Sequence, residues 1–401
     1  MLDLSAATYV RQDYAGNVLA AGGSGAIAFR LDGIEAVDLT GSAGNDQLPF
    51  LWLTADSILR GGDGNDIIQS GSGNDTLLGG AGNDTITGNT GNDTIIGGAG
   101  DDLIDGGPGT DTASYAGATG PITVNLTIAG AQATGGTGID TLSSIENLIG
   151  SNYGDTLTGD GGPNTLNGGL GHDVLSGGGG ADLLIGGLGN DKLDGGAGTD
   201  AASYADATAG VTVSLALTGA QVTGGAGSDT LVSIEMLIGS GLADTLSGNV
   251  GANILSGSGG NDILLGDAGN DALNGGVGDD VLVGGAGADT LNGGAGADSF
   301  RFAAPDAAGV FDTIADFLHG TDHIELARAA FAGLAALPLG TLDAGAFALG
   351  TVATTADQHL IYNQASATLF YDADGSGAIA QVKLAVLTGA PVLDASDFVL
   401  I

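Results

Sequence analysis

The sequence predicts an all-β chain in which short parallel strands stack into a solenoid. A nine-residue unit repeats without a gap over residues 61–114, and the same unit returns at 150–203 and at 239–301. The first five positions of each unit are mostly Gly, Ala, Asn or Asp, which favour turns. One large aliphatic residue stands in the middle of the last three positions, as in a short strand. Turn and strand therefore alternate every nine residues.

The aliphatic position predicts the interior of the solenoid. Side chains of a strand alternate between its two faces, so only the middle residue of the last three points inward. Two units would complete one coil, and residues 18 apart should then stack at about 4.8 Å. The inward residues are Ile68, Leu77, Ile86, Ile95, Ile104, Leu157, Leu166, Leu175, Leu184, Leu193, Leu246, Leu255, Leu264, Leu273, Leu282, Leu291 and Phe300.

A longer repeat is superimposed on the short one. TASYAGATGPITVNL starts at Thr112, and the similar AASYADATAGVTVSL starts 89 residues later at Ala201. A cassette of nonapeptides and one insert has therefore been duplicated. The inserts alternate apolar and polar residues, which predicts short strands.

The chain after residue 302 has less glycine and longer apolar runs. We expect a β-rich cap there, with one helix over 326–337, because a solenoid must cover its last open edge. The predicted segments are an N-terminal β segment with one isolated repeat (1–60), repeat blocks at 61–112, 150–202 and 239–302, β inserts at 113–149 and 203–238, and the cap at 303–401.

The sixth position of the unit is nearly always aspartate, and turn formation alone does not require one acid at one phase seventeen times. Stacking should place Asp66, Asp84 and Asp102 along one edge. The full series is Asp66, Asp75, Asp84, Asp93, Asp102, Asp111, Asp155, Asp173, Asp182, Asp191, Asp200, Asp244, Asp262, Asp271, Asp280, Asp289 and Asp298, interrupted by Asn164 and Asn253.

Charge balance indicates what holds these acids together. Carboxylates about 5 Å apart repel by roughly 1 kcal/mol in water and about 3 kcal/mol at an effective dielectric constant of 20. Between Arg60 and Arg301 the chain has 29 acidic residues and one basic residue, Lys192. The counter-charge must therefore come from solution. Carboxylates and backbone carbonyls in flexible glycine turns favour Ca²⁺.

These units resemble the glycine- and aspartate-rich nonapeptides of the RTX family, in which a parallel β-roll binds calcium. LFYDADGSG (369–377) and the ending ASDFVLI (395–401) also resemble the caps of RTX proteins exported by type I secretion. The resemblance implies an all-β calcium-binding roll in three blocks and a C-terminal export signal. It also implies a ligand set: carbonyls from positions two and four and the aspartate of one turn, with carbonyls from positions one and three and the aspartate of the next turn.

The resemblance assigns two neighbouring sites on one edge of the first block. The first would use Gly62, Gly64, Asp66, Gly79, Ala81 and Asp84. The second would use Gly80, Gly82, Asp84, Gly97, Ala99 and Asp102. Sites that involve Asn164 or Asn253 depart from the pattern, and we expect them to be weak or empty.

Composition excludes several classes of protein. The formal charge is −40, whereas nucleic-acid binding needs clustered Lys and Arg. Cysteine is absent, no apolar run reaches 18 residues, and the N-terminus lacks the pattern of a cleavable signal. Neither HExxH nor GxSxG occurs. We expect no catalytic residues and no cofactor other than calcium.

Two functions remain open. The first is a secreted structural or interaction protein of the surface-layer, extracellular-matrix or adhesin type, which folds on calcium binding and binds copies of itself or a cell-surface polysaccharide. The second is the non-catalytic RTX module of a secreted enzyme, such as a polysaccharide-modifying one. Both place the chain outside the cell or at its surface.

Overall fold

The computed structural model describes residues 2–3, 9–12, 18–21, 37–305 and 309–401. The regular elements of these residues are strands and three-residue 3-10 helices, which confirms the all-β prediction. None of the described helices is long and apolar enough to cross a membrane. Two compact units cover residues 1–200 and 201–401. Much of the N-terminal segment predicted at 1–60 lies outside the described residues.

One face of the first unit is a parallel sheet in which each strand pairs with the strand one coil later. Leu59 pairs with Leu77, and Leu77 with Ile95, so the step is 18 residues. The strands are Leu2–Asp3, Asp38–Thr40, Ile58–Asp63, Thr76–Ala81, Thr94–Ala99, Thr112–Ser114, Asn147–Ile149, Thr165–Asn167 and Leu183–Ile185.

The insert of the first unit interrupts only the opposite face. On the uninterrupted face, Thr112–Ser114 pairs directly with Asn147–Ile149. On the opposite face, one parallel sheet ends where Gln132–Ala133 runs antiparallel to Ile139–Ser143, and a second begins at Thr123–Asn125. The first sheet has Gln47–Pro49, Ile67–Gln69, Thr85–Thr87, Leu103–Asp105 and Ile139–Ser143; the second has Thr123–Asn125, Thr156–Thr158, Val174–Gly180 and Lys192–Gly198. Two small pairs are Leu170–Gly171 with Leu188–Gly189 and Tyr9–Gln12 with Val18–Ala21.

The second unit follows the same scheme. Its insert leaves Ala201–Ser203 paired directly with Met236–Ile238, and Gln221–Val222 runs antiparallel to Ser228–Val232. One parallel sheet has Ala201–Ser203, Met236–Ile238, Ile254–Gly259, Ala272–Val277, Thr290–Ala295, Asp312–Ile314 and Val382–Leu387. The other has Thr212–Ser214, Thr245–Ser247, Ile263–Leu265, Val281–Val283, Ser299–Phe302, His323–Leu326 and Phe398–Leu400.

The cap continues both sheets of the second unit with irregular strands. Thr368–Tyr371 runs antiparallel to Val382–Leu387 and to Leu360–Asn363, and Phe347–Leu349 runs parallel to Leu360–Asn363. Gly340–Thr341 runs antiparallel to the C-terminal strand. Its 3-10 helices are Arg328–Ala330, Ala344–Ala346, Gln364–Ser366 and Ala395–Asp397.

The helix predicted over 326–337 is wrong. Only Arg328–Ala330 forms a 3-10 helix there. The N–H of Gly333 donates to the Tyr371 hydroxyl at 2.8 Å instead of to a helical carbonyl. Gly333 also has low helix propensity, and Pro338 disfavours a helical residue before it.

The interior is the predicted aliphatic ladder. All seventeen inward residues are 1% exposed or less. Each contributes about 1.5–3 kcal/mol by leaving water. The roll therefore has a core one side chain thick, in which every half-coil depends on one residue.

We expect Leu175→Ala to lower the free energy of unfolding by about 2–5 kcal/mol, because it removes the only inward side chain of its half-coil and leaves a cavity. The neighbouring Val174 is 41% exposed, so Val174→Ala is the matched control and should cost under about 1 kcal/mol. Urea unfolding in saturating calcium measures both. Equal losses would contradict the one-residue core.

Candidate metal centres

The sixth-position aspartates form hydrogen-bonded ladders. All seventeen are 3% exposed or less. The backbone N–H of one aspartate donates to Oδ1 of the aspartate one coil later, at 2.7 Å from Asp66 to Asp84 and 2.9 Å from Asp84 to Asp102. The same bond joins Asp75 to Asp93 and Asp93 to Asp111 on the other edge. Backbone stacking thus brings the carboxylates together at the edges of the roll.

In twelve of these aspartates the other carboxylate oxygen, Oδ2, is buried without a hydrogen bond. Among the described residues, this Oδ2 has no hydrogen-bond partner at Asp66, Asp75, Asp84, Asp93, Asp102, Asp111, Asp173, Asp182, Asp262, Asp271, Asp280 and Asp289. A buried charged oxygen without a partner is costly. Its regular recurrence indicates that each ladder is built around a partner from solution.

The position-one glycines show where that partner fits. A Cβ placed on Gly61 would lie 2.1 Å from Asp66 Oδ2 and 2.6 Å from the carbonyl oxygen of Gly79. On Gly79 it would lie 2.3 Å from Asp84 Oδ2 and 2.4 Å from the carbonyl oxygen of Gly97. A carboxylate and a carbonyl therefore converge on the same point, which suits a cation and leaves no room for a side chain.

The remaining predicted ligands lie on the same neighbouring turns. A Cβ on Gly80 would lie 2.0 Å from the Gly62 carbonyl oxygen, and one on Gly82 would lie 2.1 Å from that of Gly64, so both carbonyls point towards the next turn. The carbonyl of Ala81 already accepts the N–H of Gly64 at 2.7 Å. A carbonyl has a second lone pair, so this bond leaves Ala81 able to bind an ion.

The neighbouring site repeats this arrangement one coil later. A Cβ on Gly98 would lie 1.9 Å from the carbonyl oxygen of Gly80, and a Cβ on Gly100 would lie 2.0 Å from that of Gly82. The carbonyl of Ala99 accepts the N–H of Gly82 at 2.7 Å. The structure therefore brings all the residues of the two sites together, and whether each binds calcium stays a prediction.

Burial raises the pKa of many of the ladder aspartates. Desolvation is the largest cause, hydrogen bonds from the backbone oppose it, and the aspartate of the neighbouring coil raises the pKa further. The pKa rises to about 7 for Asp84, Asp93, Asp173 and Asp262, and to about 6 for Asp66, Asp102, Asp271 and Asp298. Without a cation the ladders hold their negative charge poorly.

Three basic side chains have their partners outside the ladders. Arg60 pairs with Asp38, and Arg301 donates to Glu325 at 2.7 Å. The Lys383 ammonium lies 3.4 Å from the centre of the Phe311 ring. Carboxylate and carbonyl oxygens lie around the unpaired Oδ2 atoms, and oxygen is the ligand atom that Ca²⁺ prefers. The donor set and the unpaired Oδ2 atoms therefore fit calcium.

Sequence reasoning missed several members of the ladders. The N–H of Asp102 donates to Asp140 Oδ1 at 3.1 Å, and that of Asp111 to Glu146 Oε2 at 2.7 Å. Both acids lie in the insert predicted at 113–149. The signal was an acid two residues before a buried leucine, since Leu142 follows Asp140 and Leu148 follows Glu146. Asp46, Asp312 and Asp322 join other ladder ends.

Threonine hydroxyl groups of the insert form hydrogen bonds with the carboxylate of Asp140. Asp140 Oδ2 accepts a hydrogen bond from Thr134 Oγ1 at 2.9 Å and lies 3.4 Å from Thr137 Oγ1. In the second unit Thr223 Oγ1 donates to Asp229 Oδ2 at 3.1 Å. Hydroxyl groups of the two inserts therefore satisfy Asp140 and Asp229, and Asp140 ends a ladder.

Known proteins match the repeat blocks. The model of the RTX calcium-binding nonapeptide repeat matches residues 54–86, 78–113, 149–184, 167–201, 238–273 and 265–300. Among solved structures, a subunit of the mannuronan C5-epimerase from Azotobacter vinelandii is 30% identical, over 39% of this chain and 78% of that one, with a TM-score of 0.19. No curated protein sequence matches significantly.

We expect Gly79→Ala to weaken calcium binding in the first block, because its methyl group would meet Asp84 Oδ2 and the Gly97 carbonyl. The cost of such overpacking is about 1–3 kcal/mol. Gly130→Ala is the control, since nothing lies within 4 Å of a Cβ there. Calorimetric titration with calcium measures the change. An unaltered titration for Gly79→Ala would argue against the ion position.

The raised pKa values predict that acid folds the metal-free chain. The folded-state pKa values of about 6–7 exceed the ordinary 3.8, so protonation favours the folded form at low pH. This stability is fully present below about pH 4 and is lost as the pH rises through about 6–7. Circular dichroism of dilute, metal-free protein across this range should show β structure only at the acid end, and a pH-independent spectrum would contradict the prediction.

Proposed function

Since the chain belongs to the family built on RTX calcium-binding nonapeptide repeats, we propose that it is a secreted structural or interaction protein of the surface-layer, extracellular-matrix or adhesin type that folds on calcium binding. The observation that carries this proposal is the ladder of buried carboxylates whose Oδ2 atoms are unpaired. An acidic ladder of this kind ties folding to the ions of the surrounding solution.

The chain's own residues explain the coupling. Bound calcium would supply the positive charge that the repeat blocks lack. Without it, Asp66, Asp84 and Asp102 repel one another and lose solvation on folding, so the unfolded chain is favoured near neutral pH. With it, the free energy of binding becomes free energy of folding. A cell low in free calcium would keep the chain extended, and calcium outside would fold it.

The C-terminal strand fits export before folding. Phe398–Leu400 pairs with His323–Leu326 on one side and with Gly340–Thr341 on the other. Phe398 is fully buried and Leu400 is 1% exposed. A type I export signal in these residues would be accessible in the unfolded chain and covered once the cap has formed.

The outward faces of the second unit support a role in interaction. Met236, Ile254 and Ala272 stand side by side on neighbouring strands of one sheet. Ile263 and Val281 do the same on the other sheet. Ile254 and Ile263 are each 40% exposed. Apolar residues in adjacent register on a flat face offer a surface for another copy of the chain or for the apolar face of a sugar ring.

We further propose that the chain has no catalytic role of its own. Most aspartates with raised pKa values belong to the ladders. Burial and the neighbouring carboxylates explain these raised pKa values, so they do not indicate catalytic acids or bases. The other function, an RTX module of a secreted polysaccharide-modifying enzyme, remains as an outcome of the test below.

Removal of calcium is the direct test. We expect protein treated with EGTA at about pH 7.5 to lose its β spectrum and its melting transition, and millimolar calcium to restore both, whereas magnesium at equal ionic strength does not. Electron microscopy of the calcium-loaded sample should show ordered assemblies. A cooperative melt of the metal-free protein at this pH of about 7.5 would refute calcium-driven folding, and turnover of polysaccharide or ester substrates would refute the non-catalytic role.

A further inference from the structure

Two kinds of turn recur among the repeats, and they differ in backbone conformation. In most turns, positions two and four have positive φ, as in Gly62 (116°) and Gly64 (118°). We call these open turns. Ser258 and Asp267 also adopt positive φ at position two of open turns, at 75° and 71°, so the conformation does not depend on glycine alone.

The second kind, the closed turns, comprises residues 41–46, 150–155, 159–164, 239–244 and 248–253. Their second position is Ser42, Ser151, Asp160, Ser240 or Asn249, and none of these five has positive φ. In all five turns the N–H of position two donates to the side-chain oxygen of position six. The backbone thus presents a donor to the oxygen that is unpaired in open turns such as those of Asp66, Asp84 and Asp102.

Ser240 shows how a closed turn satisfies its acid. Its N–H donates to Asp244 Oδ2 at 2.6 Å, and its hydroxyl lies 2.9 Å from Oδ1. The N–H of Leu242 donates back to Ser240 Oγ at 3.1 Å, which fixes the turn. The N–H of Val211 donates to Asp244 Oδ1 at 2.7 Å. Both oxygens of Asp244 therefore have protein partners.

The other closed turn of this coil, 248–253, has the neutral Asn253 in place of the aspartate. Asn253 Oδ1 accepts the N–H of Asn249 at 2.7 Å, and its Nδ2 lies 3.4 Å from the Glu235 carbonyl oxygen. Asn164 makes the equivalent bonds to Asp160 and Glu146, at 2.7 Å and 2.8 Å. The side-chain NH₂ of each asparagine thus binds a backbone carbonyl oxygen that a cation could otherwise bind. Blocks 150–202 and 239–302 both begin with two closed turns.

We propose that the closed turns bind no calcium, and that the chain's own N–H and hydroxyl donors replace the ion there. This inference rests on the proposed calcium binding by the open turns. Calcium loading of blocks 150–202 and 239–302 then begins at their second coil, on a first coil that needs no ion. Asp155 and Asp244, which the sequence predicts as ligands, would then hold their turns by hydrogen bonds and bind no calcium.

The proposal can be tested by opening a closed turn. Ser240→Gly with Leu242→Gly restores glycine at positions two and four and removes the hydroxyl, so the turn can adopt positive φ. A Cβ on Gly239 would lie 2.4 Å from Asp244 Oδ2 and 2.8 Å from the Gly257 carbonyl oxygen, so an ion has the usual space. We expect native mass spectrometry of the full chain to show one more bound calcium than in wild type.

Matched variants complete the experiment. Ser258→Gly changes position two of an open turn and should leave the calcium count unchanged. Asp244→Asn should abolish the gain of the double variant and remove no ion from wild type, whereas Asp262→Asn should remove at least one. Circular dichroism confirms that each variant folds in calcium.

The outcomes separate this proposal from the proposed function. No gain in the double variant, or loss of an ion from Asp244→Asn alone, would overturn the closed turns as ion-free. A wild-type chain that binds no calcium at all would instead overturn the proposed function.

Discussion

Repulsion between buried carboxylates is the constraint on which the rest of this structure depends. Parallel stacking joins aspartates of successive coils by hydrogen bonds, and the same stacking forces their charges together. A core one side chain thick cannot offset that repulsion by itself. Under the proposed function, a bound cation would be a structural component of the roll, comparable to the core of an ordinary domain.

The sequence predicts the regular part of the molecule well, because each feature of a nonapeptide has one physical reason. Ile68 and Leu77 are inward because strands alternate, and Asp66 and Asp84 meet because two units complete a coil. The cap was less predictable. Its helix failed at Gly333, whose N–H bonds to Tyr371 from a distant strand, a tertiary contact that local propensity does not contain.

The inserts and the closed turns mark the limit of pattern reading. Glu146 keeps the spacing to a buried leucine but has lost the glycine turn, so the repeat is not visible around it. Asp140 instead stands at the sixth position of GGTGIDTLS (135–143), a nonapeptide inside the segment predicted as an insert. Ser240 and Ser258 occupy the same position of their units and differ in the sign of φ. Ser240 makes hydrogen bonds to Asp244, and these bonds depend on the backbone conformation rather than on residue type.

The insert that leaves one face of the roll uninterrupted has an evolutionary consequence. Because Thr112–Ser114 pairs directly with Asn147–Ile149, and Ala201–Ser203 with Met236–Ile238, the excursion between them preserves strand register. A gene segment encoding 89 residues could thus be copied in tandem without disturbing its neighbours. Unequal recombination would lengthen or shorten such a protein in whole modules, and relatives should differ in size by multiples of that segment.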